Sequence, residues 1–234
     1  MTRKITVTIP VGPELHHRRW LDECLDSIAG QTVPPDEVLL IDDMAGLPSY
    51  RKRGYRVWRS PWLLGTAHAL NFGVALATHE LVIMLGSDDR LEPPAVESCL
   101  AQYEASGNCD AYYFMPFEKG FRASEGYHDE DRIATGEITG AAMVTKGLWL
   151  ATGGFPLVGA IGPCDFIMCS VLEKAGVPII PIKPLHGTSL YWVRVHQQND
   201  TLLRNAANPG LDITGWGRKY CDAMWKPPAW GRMK

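Results

Sequence analysis

The stretch that most constrains this chain is Leu81–Leu85, LVIML, which stops at Gly86-Ser87 and gives way to Asp88-Asp89, with Pro93-Pro94 close behind. A short unbroken apolar run bounded by turn residues is what a strand buried on both faces requires, as in the centre of a parallel sheet. Asp88 and Asp89 then lie just past the strand's carboxyl end. In open α/β sheets that edge is where ligands bind, and adjacent carboxylates there can grip a hard cation such as Mg²⁺ or Mn²⁺. The same residues also suit a plain turn leading into a helix that starts at the prolines. On this stretch alone both readings stand.

The upstream sequence supplies neighbours for such a strand. From Lys4 to Val11, the residues Ile5, Val7, Ile9 and Val11 share one face, and the cluster Pro10 to Pro13 ends the strand. Trp20, Leu21, Cys24, Leu25 and Ile28 fall at helical spacing, with Asp22, Glu23 and Asp26 facing outward, and Gly30 closes the helix. Val38 to Ile41 is a second buried strand, and it too ends in an acid pair, Asp42-Asp43. A third strand over Tyr55–Trp58 and a helix over Thr66–Ala77 complete a β-α-β-β-α-β alternation into Leu81. The expectation is an α/β fold, a Rossmann-like mostly parallel central sheet flanked by helices.

Beyond the acid pair, Pro94–Ser106 reads as a helix closed by Gly107, and Ala111–Met115 as a strand. From Phe117 to Glu137 charges and glycines replace any apolar period, which predicts a mobile surface loop of the kind that often carries binding function. Order resumes with Gly140–Thr145, a short helix over Lys146–Thr152, a turn at Gly153-Gly154 and a helix over Asp165–Ala175 ended by Gly176. Two strands follow, Ile179–Ile182 and Ser189–His196, and then a tail with Trp216, Trp225 and Trp230 but no period.

At 234 residues the chain suits one substantial core, and a net charge of −3 argues against nucleic acid as a partner. The six cysteines form no CxxC pair and sit mostly in apolar segments, the pattern of reduced, packed thiols in a cytoplasmic protein. Arg3 and Lys4 precede a short alternating run that meets Pro10, unlike a secretory signal, and the longest weakly polar stretch, Leu148–Pro163, is broken by glycines and prolines. The sequence therefore predicts a soluble protein with no integral membrane segment.

Four features now stand in order: a first strand ending Ile9-Pro10-Val11, a second ending Asp42-Asp43, the segment Gly65 to Gly73 containing His68 and Asn71, and Leu85-Gly-Ser-Asp-Asp89. Together they resemble the family 2 glycosyltransferases of the GT-A fold, from about Arg3 to about Thr201. Gly162-Pro-Cys-Asp165 heading a helix and Tyr191–His196 extend the likeness. No one of these motifs is specific; their order and spacing are.

The resemblance implies a single domain with a nucleotide-sugar (donor) half over residues 1–116, an acceptor-binding and catalytic half over 117–200, and a tail over 201–234. It implies that Pro10, Val11 and Gly12 flank the donor's base, that Asp42, with Asp43, accepts hydrogen bonds from base or ribose, and that Gly65, His68 and Asn71 line ribose and diphosphate. Asp88 would ligate a divalent cation, Mn²⁺ or Mg²⁺, bridging the diphosphate, with Asp89 beside it and His196 as a further ligand. Arg194 would assist at the diphosphate. Asp165, at a helix start that favours its ionised form, would be the general base for inverting transfer to an acceptor hydroxyl. A UDP-sugar is the favoured donor; the acceptor class, glycan, protein or small molecule, is left open.

This chain departs from the family's pattern in three places: Gly86 stands where the first acid of an Asp-x-Asp-Asp turn is common, Cys164 where Glu precedes the base, and Leu70 where Arg precedes Asn71. These departures motivate an alternative, a degenerate GT-A domain that binds nucleotide or a partner without catalysis. The absence of Gln-x-x-Arg-Trp after Asp165 argues against a processive synthase, so transfer of one sugar is expected.

Overall fold

The computed structural model describes residues 3–47, 50–51, 53–121, 133–135, 141–155, 164–187 and 189–196. Its first half follows the expected alternation. Strand β1 (Ile5–Val11) leads through a short helix α1 (Leu15–Arg19) and α2 (Leu21–Ala29) to β2 (Glu37–Asp42) and β3 (Arg56–Arg59). Helix α3 (Thr66–Leu76) returns the chain to β4 (Leu81–Met84). There follow β5 (Arg90–Leu91), α4 (Ala95–Ala105), β6 (Tyr112–Phe114), β7 (Phe117–Phe121), β8 (Ile133–Thr135) and β9 (Ala142–Thr145). The described chain closes with α5 (Lys146–Thr152), α6 (Cys164–Ala175), β10 (Ile179–Pro181) and β11 (Tyr191–Val195).

Seven strands form one sheet in the order β10-β6-β9-β4-β1-β2-β3. All neighbours pair parallel except β9, which runs antiparallel to both β4 and β6. The chain winds outward from β1 in both directions, so the strand order reverses between β1 and β4. Ligand crevices of open α/β sheets lie at such a reversal, outside the carboxyl ends of the strands.

Strand β4 shows why the sequence reads as it does. Leu81, Ile83 and Leu85 enter the core shared with α2 and α4, while Val82 and Met84 enter the core under α3, α5 and α6. Period-two alternation with both faces covered demands an apolar residue at every position, and all five are 2% exposed or less.

The region after Phe117 corrects an expectation. Residues Phe117–Phe121 and Ile133–Thr135 are strands, not loop, within a second sheet ordered β5-β11-β7-β8. Strand β7 pairs in parallel with β11, some seventy residues later in the chain, and its interior Glu118-Lys119-Gly120 supplies no apolar period to read. The other residues of that expected loop, and the tryptophan-bearing tail, lie outside the described residues. Helix α1 was not foreseen either: its one buried side chain is His16, and Leu15 is exposed.

Candidate active site

Two acid pairs end neighbouring parts of the sheet, and the structure uses them differently. Asp42, the last residue of β2, is fully buried. Its Oδ1 accepts the Gly46 amide at 2.9 Å, and its Oδ2 accepts the Leu47 amide and Arg59 Nε, each at 2.9 Å. Burial works to raise this carboxyl, but the Leu47, Arg59 and Gly46 hydrogen bonds and the Arg59 charge outweigh it and hold the pKa below the ordinary carboxylate value. Asp42 was expected to contact the donor's base or ribose; its carboxylate instead has no exposed surface and closes the loop after β2. Asp43 turns the other way, its two oxygens accepting the Leu64 and Gly65 amides at 2.6 and 2.8 Å. That clamp fixes the entry to α3, where Gly65 takes φ 77°, a left-handed conformation that suits glycine.

The second pair sits in the crevice beside the reversal. Asp88 Oδ2 lies 3.0 Å from His196 Nε2, at the end of β11. Asp89 Oδ1 accepts the backbone amide of Arg194 at 2.9 Å. Burial works to raise the Asp88 carboxyl, and the hydrogen bond and charge of His196, with His17 adding, outweigh it and hold it below the ordinary value. Asp89 goes the opposite way: burial and the adjacent Asp88 charge push it well above that value, against the Arg194 backbone bond and charge. The two neighbouring carboxylates are thus pushed in opposite directions, and Asp88 keeps some exposure, with 18% of its side chain open.

Around this pair the structure gathers residues that no motif marks out. His17 Nδ1 lies 3.2 Å from Ser87 Oγ, and its Nε2 lies 3.5 Å from Glu14 Oε2. The Trp20 ring is 4.5 Å from that of His196, and His16 is 5.2 Å from it. The one available signal was position: Gly12-Pro13 breaks β1 at the strand reversal, and the next polar side chains belong there. Among the described residues no group of three or more His, Cys, Asp and Glu is poised to hold a metal ion; Asp88 and His196 form a pair that needs further ligands from elsewhere.

Other expected site residues fall as follows. Gly12 lies under His17 and Glu14 at the end of β1; Pro10 is half-buried, while the Val11 side chain is fully buried in the core. His68 is exposed on α3. Asn71 is engaged inside the protein: its Oδ1 accepts Trp149 Nε1 at 3.0 Å and the Phe155 amide at 2.8 Å, and its Nδ2 donates to the Phe155 carbonyl at 3.0 Å. It bolts α3 to the segment after α5. Arg194, expected at the diphosphate, is 1% exposed and makes its bonds inward. Asp165 is the second residue of α6, and its side chain lies outside what is described.

The model of glycosyl transferase family 2 matches residues 6–174. The chain belongs to this family. No curated protein matches it in sequence. Solved structures carry the fold: S. aureus TarS 1–349 in complex with UDP-GlcNAc aligns with a TM-score of 0.63 at 14% identity, over 84% of this chain and 60% of that one. S. aureus TarS 1–349 in complex with UDP aligns with a TM-score of 0.60 at 15% identity, over 91% of this chain and 68% of that one. A longer S. aureus TarS structure aligns at 0.61 and 15%, this chain spanning 41% of its length. The chain thus spans well under two thirds of the longer TarS chain, and the likeness is one of GT-A fold.

Two of the three departures can be placed in the structure. A Cβ at Gly86 would lie 2.9 Å from Asp89 Oδ2 and 3.1 Å from Asp88 Oδ1, so a side chain there would require the two carboxylates to shift. Leu70 is 6% exposed and packs in the core with Trp149 and Val74, where a guanidinium would be buried away from any ligand.

Proposed function

We propose that this domain transfers one sugar, with inversion, from a nucleotide-diphosphate sugar to an acceptor hydroxyl. The observation that carries the reading is the Asp88–His196 pair, partly open at the strand reversal of a family 2 fold. A carboxylate oxygen and an imidazole nitrogen are a suitable donor set for Mn²⁺ or Mg²⁺. Oδ2 and Nε2 stand 3.0 Å apart as a hydrogen-bonded pair, and both would serve a cation once the shared proton leaves. Mg²⁺-type sites of one or two protein ligands are completed by substrate phosphates and water, which agrees with a pair rather than a full cage. A cation held there would neutralise charge on the diphosphate leaving group.

The chain's own residues divide the remaining work. Asp88 would hold the cation that offsets the diphosphate's negative charge, with His196 beside it. Asp165, near the start of α6, takes the acceptor's proton as its oxygen attacks the anomeric carbon, the position favouring the ionised form. Asp43 fixes the entry to α3 by accepting the Leu64 and Gly65 amides, and residues 1–116 serve as the donor half with 117–200 as the acceptor half. Binding of UDP-GlcNAc and of UDP by TarS structures of the same fold supports a UDP-sugar as donor.

The test is a thermal-shift panel of UDP, GDP, dTDP and CDP with and without Mn²⁺, followed by transfer assays on the donor class identified. A shift for UDP that grows with Mn²⁺ is expected, as is loss of transfer in Asp88→Ala and in Asp165→Ala with the fold kept. Transfer retained by both variants would overturn the reading. Nucleotide binding with neither transfer nor donor hydrolysis would favour the alternative, a non-catalytic binding domain, which Gly86 in place of an acid motivates.

A further inference from the structure

Arg194 is the largest charged side chain buried in the described core, at 1% exposure. Its contacts reach four residues in two parts of the chain, the turn after β4 and the start of α2. Nε donates to the Asp88 carbonyl at 2.8 Å, its backbone amide donates to Asp89 Oδ1 at 2.9 Å, Nη2 lies 2.6 Å from Glu23 Oε2 on α2, and the guanidinium sits 4.9 Å over the Trp20 ring. Trp20 in turn faces the His196 ring at 4.5 Å. Both partners of the Asp88–His196 pair are therefore held through one guanidinium: Asp88 through its own carbonyl, and His196 through the strand it follows and the indole it packs on.

We infer that Arg194 is a positioning residue, clamping the end of β11 to the turn after β4 so that Asp88 and His196 converge on one point. The inference rests on the proposed function, in which that pair serves a cation at the diphosphate. It departs from the expected role for Arg194 as a donor contact, because a guanidinium with 1% exposure has no face to offer a ligand. A role in stability alone is the weaker explanation. Burying an ion pair seldom stabilises a fold more than well-packed apolar side chains of similar size, and Glu23, with 37% of its side chain exposed, can return to water if its partner is lost. The Asp89 bond uses the backbone amide and survives any side-chain change at 194.

Arg194→Met removes the Asp88 carbonyl bond and the Glu23 tether while keeping the volume. Partners that orient ligands typically change metal affinity about 10- to 100-fold when removed. The experiment follows free Mn²⁺ by electron paramagnetic resonance in the presence of saturating UDP, and UDP affinity in EDTA by calorimetry, for wild type, Arg194→Met, Arg194→Lys and Glu23→Gln. The expected result is Mn²⁺ affinity weakened about 10- to 100-fold in Arg194→Met, with partial recovery in Arg194→Lys and UDP affinity in EDTA unchanged. Wild-type Mn²⁺ affinity in Arg194→Met would overturn the inference and leave the functional reading intact. If Arg194→Met fails to fold, Glu23→Gln decides: a smaller loss of Mn²⁺ affinity supports the clamp, and none overturns it. A wild type that takes up no Mn²⁺ with the nucleotide the panel identifies would overturn the clamp, while the functional reading stands or falls on the transfer assays.

Discussion

Asp42-Asp43 and Asp88-Asp89 look alike in the sequence, each an acid pair at the end of a buried strand, yet they do opposite things. The first pair is closed: four backbone amides and Arg59 take up its oxygens, and Asp42 has no exposed surface. The second pair is half open: Asp88 faces an imidazole, and Asp89 is pushed toward its neutral form by burial and by its neighbour's charge. What separates them is the supply of amide donors. After β2 the chain turns back at once and offers Gly46 and Leu47, whereas after β4 the nearby donors are Arg194 and His196, residues more than a hundred positions away. The first pair's oxygens are taken up by amides and Arg59, whereas Asp88 faces a distant imidazole and keeps part of its side chain open.

The largest effect should come from outside either pair. Asp165→Asn keeps the size and removes the base, so turnover in a transfer assay should fall about 10²- to 10⁴-fold with UDP binding retained; activity within tenfold of wild type would remove Asp165 from the mechanism. Asp88→Asn should lower transfer about 10²- to 10³-fold, with a melting temperature close to wild type, because its side chain closes no loop. Asp42→Asn should do the reverse. An amide nitrogen placed at Oδ2 would face the Leu47 amide and Arg59 Nε, donor against donor. The loss should be about 2 kcal/mol, or roughly 5 °C in melting temperature, with activity per folded molecule preserved. Unchanged stability would mean that the two pairs are not so different.

The smallest effect sharpens the comparison at the opposite edge of the sheet. Glu37, at the start of β2, accepts from Thr6 Oγ1, the Thr78 amide and hydroxyl, and Arg56. Burial works to raise its carboxyl, but the Thr78 amide, Arg56, Thr6 and Thr78 hydroxyl bonds outweigh it and lower the pKa from 4.5 to about 2. A carboxyl depressed in the folded state stabilises above its unfolded value and loses that contribution as the pH falls from 4.5 towards 2. About 2 kcal/mol or less should disappear over that window, and Glu37→Gln should flatten the acid limb of a stability-against-pH curve. An unchanged limb in that variant would exclude Glu37 as its source.

How much of this could be read from the chain follows the same division between local and distant contacts. The buried strands and the helices α2, α3, α4 and α5 were legible because their apolar spacing is local; α5 begins and ends where its sequence predicts, at Lys146 and Thr152. Strands β7 and β8 read as loop because Glu118-Lys119-Gly120 and the three-residue Ile133–Thr135 carry too little apolar pattern, although their backbones pair with β11 and with each other. At the site, Asp88 and Asp89 could be singled out by residue type and position, and His196 through the family resemblance. The inward turn of Arg194, and the placing of Asn71 between Trp149 and Phe155, could not, since each depends on which distant backbone atom arrives first. His17 was missed because His16-His17-Arg18-Arg19 carries no apolar period, although it opens at the strand reversal.

The central claim is that the two acid pairs differ in kind, and its most direct test is the Mn²⁺-dependent gain in UDP affinity, measured by calorimetry in wild type, Asp88→Asn and Asp42→Asn. The account predicts that the gain vanishes in Asp88→Asn and persists in Asp42→Asn at a temperature where that variant remains folded. A gain kept by Asp88→Asn, or lost only in Asp42→Asn, would contradict it.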